Sequence, residues 1–401
     1  MKYLSSFKTK NLSGKICLLR ADFNIENAEL SGKNIHPRIA AILLAIEFLT
    51  KKGAKVVILS HRGRPAARIN VDKTPIDTDK KISENLRNGL RKSALSLKPF
   101  AKILSKLLKK PVDFIDSVAK LEFTTSQVVK LRNKIKSAPC GNIFLLENLR
   151  FNPGEDKNDV KFTKKLASLG DFYVNEAFAF CHRPAASIIG IPKLLPSFAG
   201  FSLENEIKNL SKVIASPKKP FIVILGGVKV ADKVGLIENF WDKADKFLIG
   251  GGIANTFLAA RGEKVGNSVY EKEKIAFCKK LLKFSKIILP VDLMVKNGRI
   301  LDIGVKTQKN YAEIIKKAKT IIWNGPMGYI EDKGLRKGSE AVLRAILKSK
   351  AFGVIGGGET TSLLQASSFK LQANVFVSTG GGAMLEFLAG KKLPGIEALN
   401  K

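Results

Sequence analysis

The chain of 401 residues predicts an α/β fold of two domains, each a parallel sheet covered by helices on both faces. Three observations predict it. An amphipathic helix, a Gly or Lys stop and a short β-branched run recur as one unit along the chain. The β-branched runs are apolar throughout rather than alternating, as strands buried on both faces require. The length also exceeds what one ordinary core serves, and a helical segment flanked by prolines lies near the middle.

The elements follow in order. Ile16-Cys17-Leu18-Leu19 reads as the first strand. Residues 38–52 carry apolar side chains at helical spacing, Gly53 sits where a left-handed residue ends a helix, and Val56-Val57-Ile58-Leu59 is the next strand. Residues 66–96 break the rhythm: rich in Lys, Arg, Asp and Asn, they read as a long exposed loop with a short helix near 82–90. Helix 97–109 and strand 112–115 resume the pattern, followed by strand 143–146, helix 162–169, Gly170 and strand 172–174. Pro192, Pro196, Pro217 and Pro220 then flank one helix, 203–214. That places a first domain at 1–192, a hinge helix within 193–216, a second domain at 217–385, and a segment 386–401 returning to the first. The second half continues with a strand ending at Leu225, helix 234–243, strand 247–249, helix 271–284 and strand 287–289. Helix 311–317, strand 320–323, helix 338–348 and strand 352–355 complete it. Both sheets are Rossmann-like in this reading.

Composition narrows the class. Apolar residues form 45% of the chain, enough for packed cores, and no run of 18 apolar residues exists to span a membrane. The N-terminus lacks the apolar region and cleavage site of a secretory signal, and Cys17, Cys140, Cys181 and Cys278 are scattered without a C-x-x-C pair. Free thiols in a reducing compartment are expected, hence the cytoplasm. The formal net charge is +34, and 55 of the 69 basic residues are Lys spread over nearly every predicted helix. A solvated basic surface explains this, with attraction for anionic ligands as a by-product. No zinc finger, helix-turn-helix or aromatic-basic RNA box accompanies it.

Ligands of open parallel sheets bind beyond the carboxyl ends of the strands, so the residues after each apolar run carry the functional information. In the first half they are charged: Arg20-Ala21-Asp22-Phe23-Asn24, His61-Arg62-Gly63-Arg64-Pro65, Glu147-Asn148-Leu149-Arg150, and Asn175-Glu176 leading to His182-Arg183. Four strand ends thus deliver Arg to one rim, the side chain that grips carboxylate or phosphate bidentately. In the second half they are glycines: Gly226-Gly227-Val228-Lys229, Gly250-Gly251-Gly252, Gly356-Gly357-Gly358-Glu359-Thr360 and Gly380-Gly381-Gly382. Tight strand-to-helix turns need glycine in any case, yet four such loops with Lys229 and Lys233 beside the first favour phosphate binding at helix N-termini. Neither the G-x-x-x-x-G-K-[ST] loop nor a G-x-G-x-x-G fingerprint is present. The pattern indicates transfer of a phosphoryl group between a nucleotide and a small acid, by positioning, cations and Mg²⁺, with closure of the lobes excluding water. Three His (His36, His61, His182) and no serine elbow fit that chemistry, with His182 expected to pack or orient.

With these motifs in family order from end to end, together with Ile322-Trp323-Asn324-Gly325-Pro326 and Leu393-Pro394-Gly395, the chain resembles the phosphoglycerate kinase family. The resemblance implies reversible transfer from 1,3-bisphosphoglycerate to ADP, giving 3-phosphoglycerate and ATP. Carried over, Asp22 and Asn24 hold the glycerate hydroxyl and carboxyl end, while His61, Arg64, Arg150 and Arg183 grip the non-reacting phosphate. Phe23, Arg62 and Gly63 join the acid-substrate set. Arg38 and Lys229 stabilise the transferred group, with Gly381 as the third catalytic position. Gly227, Lys233, Gly356, Gly357, Gly358 and Thr360 meet the nucleotide phosphates, Glu331 the ribose, and Gly250, Gly251 and Ile300 the adenine, over a floor of Asn324 and Pro326.

Departures from the family accompany the match. Glu359 stands where an Asp usually ligates Mg²⁺, and the added methylene shifts the carboxylate of an ion that tolerates little geometric error. Arg62 replaces the usual Leu, Glu26 and Val305 each replace a Pro, and the loop 66–96 is longer than usual. The expected molecule is a monomer acting on small substrates. A second reading adds a weak electrostatic contact with nucleic acid through the basic surface.

Overall fold

Strands that the sequence writes as unbroken apolar runs end up buried along their whole length: β1 (Ile16–Arg20), β2 (Lys55–Leu59), β4 (Ile143–Leu146) and β5 (Phe172–Asn175) are covered at every position. The exposed edge is taken by β3 (Val112–Ile115), whose burial is only partial. The computed structural model describes residues 1–7, 11–25, 35–63, 94–117, 123–366 and 371–400. The chain divides into two compact units, Met1–Asn205 with Leu393–Lys401, and Glu206–Lys392.

In the first unit six parallel strands run in the order β3-β4-β2-β1-β5-β6, with β6 at Ser197–Ala199. The order reverses between β1 and β5, whose registers pair Leu18 with Tyr173 and Arg20 with Asn175. Helix Pro37–Lys51 connects β1 to β2, with Pro37 in its first turn, the His36 side chain accepting from the Arg38 N–H, and Ile42, Ala45, Ile46 and Leu49 buried. Gly53 takes φ +81° at its end, the conformation expected of it. A shared core of Leu19, Phe23, Ile46, Leu49, Val56, Ile58, Phe100 and Leu104 fixes one face of this sheet.

The second unit repeats the plan with six parallel strands in the order β14-β13-β12-β7-β8-β9. These are β7 (Phe221–Leu225), β8 (Lys246–Ile249), β9 (Ile287–Ile288), β12 (Thr320–Asn324), β13 (Phe352–Gly356) and β14 (Val375–Val377). Here the order reverses between β7 and β12, which pair Leu225 with Asn324. An antiparallel pair, β10 (Leu293–Lys296) and β11 (Arg299–Ile303), stands apart from the sheet.

Several expectations change. The returning segment starts at Leu393, not at residue 386, because helix Gly382–Leu388 packs on helix Val234–Phe240 within the second unit. The division falls inside helix Phe201–Ala215. The Glu176 carboxylate caps the start of that helix, accepting from Phe201 N at 2.8 Å and Ser202 N at 2.7 Å. The expected helix 271–284 forms only as a 3₁₀ turn, Lys272–Lys274, and a short helix, Ile275–Leu281. The expected helix 311–317 starts earlier, at Val305, since the Asp292 carboxylate accepts from Lys306 N and Thr307 N. Strand β6 and helix Thr125–Ser137, with its Thr124/Gln127 capping box, are additions to the sequence reading. Most of the loop 66–96, its helix near 82–90 and Glu26 lie outside the described residues.

Candidate active site

At the carboxyl ends of the first sheet the strand-end residues close around one imidazole. His61 is 2% exposed and stacks on the Phe180 ring, centroids 4.1 Å apart. Burial pushes its pKa well below the ordinary value, and the charges of Arg20, Arg150, Arg38 and Arg183 push the same way. The ring is therefore neutral, and four arginines from separate chain segments lie within electrostatic reach of it. Arg38, in the first turn of its helix, donates to Asn24 O at 2.6 Å and pairs with Asp22 at 3.4 Å. The Asn24 side chain accepts from Gly63 N at 2.8 Å, and the Asp22 carboxylate accepts from Asn24 N at 3.0 Å. Arg150 donates to Gly63 O and to Asp156, with its guanidinium 5.0 Å from the Phe180 centroid. Arg183 is exposed and donates to His182 Nε2 at 3.1 Å.

The rim of four strand-end arginines is corrected by this geometry. Arg20 is the last residue of β1 and fully buried: it donates to Ser187 Oγ, contacts His61 Nδ1 at 2.9 Å, and lies over Phe180. Ser187 Oγ in turn donates to the buried Glu155 carboxylate at 2.5 Å. Arg62, 3% exposed, is turned inward onto carbonyl oxygens. Phe23 is core, stacked on Phe100 at 4.7 Å, and its N–H donates to Ser60 Oγ, so its side chain does not face a ligand. Arg38, Arg150 and Arg183 remain as candidates, and Arg64 lies outside the described residues.

In the second unit a cleft of about 790 Å³ opens where the strand order reverses. Gly227, Gly251, Pro326, Ile300, Glu331 and Glu359 all line it. Its floor is backbone packed on backbone: Gly226 N donates to Asn324 O, Gly227 N to Pro326 O, and Gly251 N to Met327 O. A Cβ on Gly226 would lie 2.1 Å from Pro326 O. These glycine N–H groups are thus engaged, contrary to the expectation of bare donors at every glycine loop. Nor does the first loop open a helix directly; a 3₁₀ turn, Ala231–Lys233, intervenes, with the Glu271 carboxylate accepting from Val230 N and Ala231 N.

Among the described residues, backbone N–H groups ahead of the first helical bond lie after β13. The first bond of helix Gly358–Ala366 runs from Thr361 N to Gly357 O, so the N–H groups of Gly358, Glu359 and Thr360 precede it. Gly356 ends β13, and Gly357 takes φ +102° beside Asn324 and Thr360. The Thr360 hydroxyl is buried and accepts from Gly325 N at 3.0 Å, which fixes the turn after β12. Lys233 donates to Asn324 Oδ1, leaving Asn324 Nδ2 buried without a protein partner among the described residues. Burial lowers the Lys233 pKa, opposed by Asp232 and Glu359. Lys229 is exposed, Gly250 bonds Leu225 O, and Gly381 caps helix Gly382–Leu388 at φ +51°.

The sequence reading named only Ile300 from one wall of the cleft. Lys296, Asn297 and Arg299 line it from the β10–β11 hairpin, whose turn is Asn297-Gly298 with φ of 54° and 70°. That dipeptide is a hairpin signal legible in the sequence.

The phosphoglycerate kinase family model matches residues 7–391. The chain belongs to the phosphoglycerate kinase family. It is 38% identical over 412 residues to the phosphoglycerate kinase of Herpetosiphon aurantiacus, covering 97% of each chain. It is 40% identical over 425 residues to that of Pseudothermotoga lettingae, covering 100% of this chain and 99% of the relative. Among solved structures, phosphoglycerate kinase from Pyrococcus horikoshii matches with a TM-score of 0.81 at 31% identity, over 100% of this chain and 98% of that one. The enzyme from Coxiella burnetii matches at 0.75 and 33% identity, over 98% and 97%. Family membership thus holds across both units, and no helix among the described residues is long and apolar enough to cross a membrane.

Proposed function

We propose that the arginine-ended unit binds 3-phosphoglycerate and the glycine-ended unit binds ATP or ADP, in the reversible reaction of the phosphoglycerate kinase family. The chain is a phosphotransferase with a carboxyl group as acceptor. The observation that carries the division of labour is the gathering of arginines at the ends of the first sheet, with Arg150 over the Phe180 ring that stacks on buried His61 and Arg38 on the Asn24 carbonyl. In this reading Arg150, Arg183 and His61 hold the non-reacting phosphate, and the family resemblance assigns Arg64 the same role. Asp22 and Asn24 orient the glycerate hydroxyl, and Arg38 stands at the carboxyl end.

A carboxylate oxygen of 3-phosphoglycerate attacks the γ-phosphorus of ATP as the bond to the β-phosphate oxygen breaks, leaving ADP and 1,3-bisphosphoglycerate. No covalent protein intermediate is needed, and charge on the transferred oxygens is met by Arg38 and Lys229, with the Gly381 N–H as a third donor. Lys233, Asn324 Nδ2 and the N–H groups of Gly357–Thr360 hold the nucleotide phosphates. Glu331 takes the ribose, and Ile300 borders the base.

Among the described residues no three His, Cys, Asp or Glu side chains gather to hold a metal. Glu359 nonetheless offers one exposed carboxylate in the cleft, which fits Mg²⁺ carried by nucleotide phosphates and water. Glu359 would hold the ion, which would supply neutralisation of the charge on the nucleotide phosphates. The comparisons give nucleic-acid binding through the basic surface no support. The test is Mg²⁺-dependent phosphorylation of 3-phosphoglycerate by ATP, coupled to NADH oxidation through glyceraldehyde-3-phosphate dehydrogenase. Wild type should turn over, and Arg38→Ala should lose roughly a hundred- to a thousandfold in kcat. Equal rates in the two would remove Arg38 from the reaction.

A further inference from the structure

Arg62 occupies a position at which an arginine is unexpected: buried, beside aromatic rings, where the family resemblance puts a leucine. Burying a guanidinium is costly unless its donors are satisfied. Its Nε donates to Ile25 O at 2.7 Å and one terminal nitrogen donates to Ala94 O at 3.1 Å. Its carbon lies 5.5 Å from the centroid of Phe100, which itself stacks on Phe23. Ile25 belongs to the segment after β1 that carries Asp22 and Asn24, and Arg38 donates to the Asn24 carbonyl. The neighbour of Arg62 holds the same segment from a second side, because Gly63 N donates to the Asn24 side chain. Asn148 completes the arrangement, donating through Nδ2 to Arg62 O at 2.7 Å and to Leu95 O at 3.0 Å.

We infer that Arg62 is a positioning residue, a buried cationic clamp that sets residues 22–25 and, through Asn24, the Arg38 guanidinium in the geometry that receives the acid substrate. The inference rests on the binding of 3-phosphoglycerate by the first unit. A leucine fills the volume but leaves the Ile25 and Ala94 carbonyls without that donor, whereas a lysine supplies one donor of the two.

The test compares wild type, R62L and R62K as full-length protein, by steady-state kinetics in both substrates and by amide hydrogen exchange of residues 23–25. R62L should raise KM for 3-phosphoglycerate about tenfold or more, with KM for ATP within about twofold, and should speed exchange at residues 23–25. R62K should fall between the two. An R62L variant with both KM values and that exchange unchanged, differing only in a lower Tm, would overturn the inference and leave Arg62 as a fold stabiliser. If R62L fails to fold, R62K decides, by the same selective rise or its absence. If wild type itself does not phosphorylate 3-phosphoglycerate, the functional reading fails instead; exchange at residues 23–25 still decides whether Arg62 fixes the segment.

Discussion

In the proposed function the two units solve the same problem, holding an anion beyond the ends of a parallel sheet, with opposite materials. The first uses charged side chains, and most of the structure around them restrains those side chains. Arg20 is held by Ser187, Arg62 by two carbonyls, Arg150 by Gly63 O and Asp156, and Arg38 by Asn24 O and Asp22. The second uses backbone, and its glycines let one loop lie directly on another, as Gly226 does on Gly325 and Pro326. The difference teaches that a shared topology does not fix the recognition chemistry. A long side chain must be tethered to be precise, whereas a backbone donor is precise once the loops can approach.

The comparison breaks most visibly at the glycines. Gly226→Ala puts a Cβ against backbone oxygens, while a Cβ on Gly358 meets nothing within 4 Å. Calorimetry should find ADP binding abolished in Gly226→Ala and retained in Gly358→Ala. Equal loss in both variants would mean that phosphate contact, rather than loop packing, is what these glycines provide. Glu359→Asp should produce a smaller change, reducing the Mg²⁺ concentration for half-maximal rate several-fold. An unchanged Mg²⁺ requirement would show that the helix start already compensates for the longer side chain.

The smallest effect concerns pH. His61 is a base whose folded pKa lies well below its ordinary 6.5, so the unfolded chain binds the proton first. Its contribution to stability is complete above the ordinary value and is lost as pH falls from there through the lowered one. The Tm of wild type should therefore drop more steeply than that of His61→Gln between about pH 6.5 and 5. Parallel curves would mean that His61 is not the neutral group described. Above pH 6.5 KM for 3-phosphoglycerate should not change through His61.

Much of this was legible in the sequence, for identifiable reasons. Continuous apolar runs mark strands covered on both faces, and Gly53 marks a left-handed helix end, because each follows from local sterics and burial. What separates a working arginine from a structural one is long-range: Arg20 meets Ser187 167 residues away, and the Arg62 guanidinium is satisfied by Ile25 and Ala94. No spacing rule reports those partners. Strand β6 was hidden because Ser197-Phe198-Ala199, three residues between Pro196 and Gly200, make no apolar run. The β10–β11 hairpin was different, since Asn297-Gly298 stood in the sequence as a turn signal.

Hydrogen exchange of the full-length protein with each ligand alone tests the division of labour between the units. Saturating 3-phosphoglycerate should slow amides at residues 22–25, 36–38, 61–63, 148–151 and 181–183, leaving the second unit unchanged. ADP with Mg²⁺ should slow amides at 226–233, 324–331 and 356–361, leaving the first unchanged. Protection of the glycine loops by 3-phosphoglycerate alone, or of the His61 cluster by the nucleotide alone, would contradict the assignment of one ligand to each sheet.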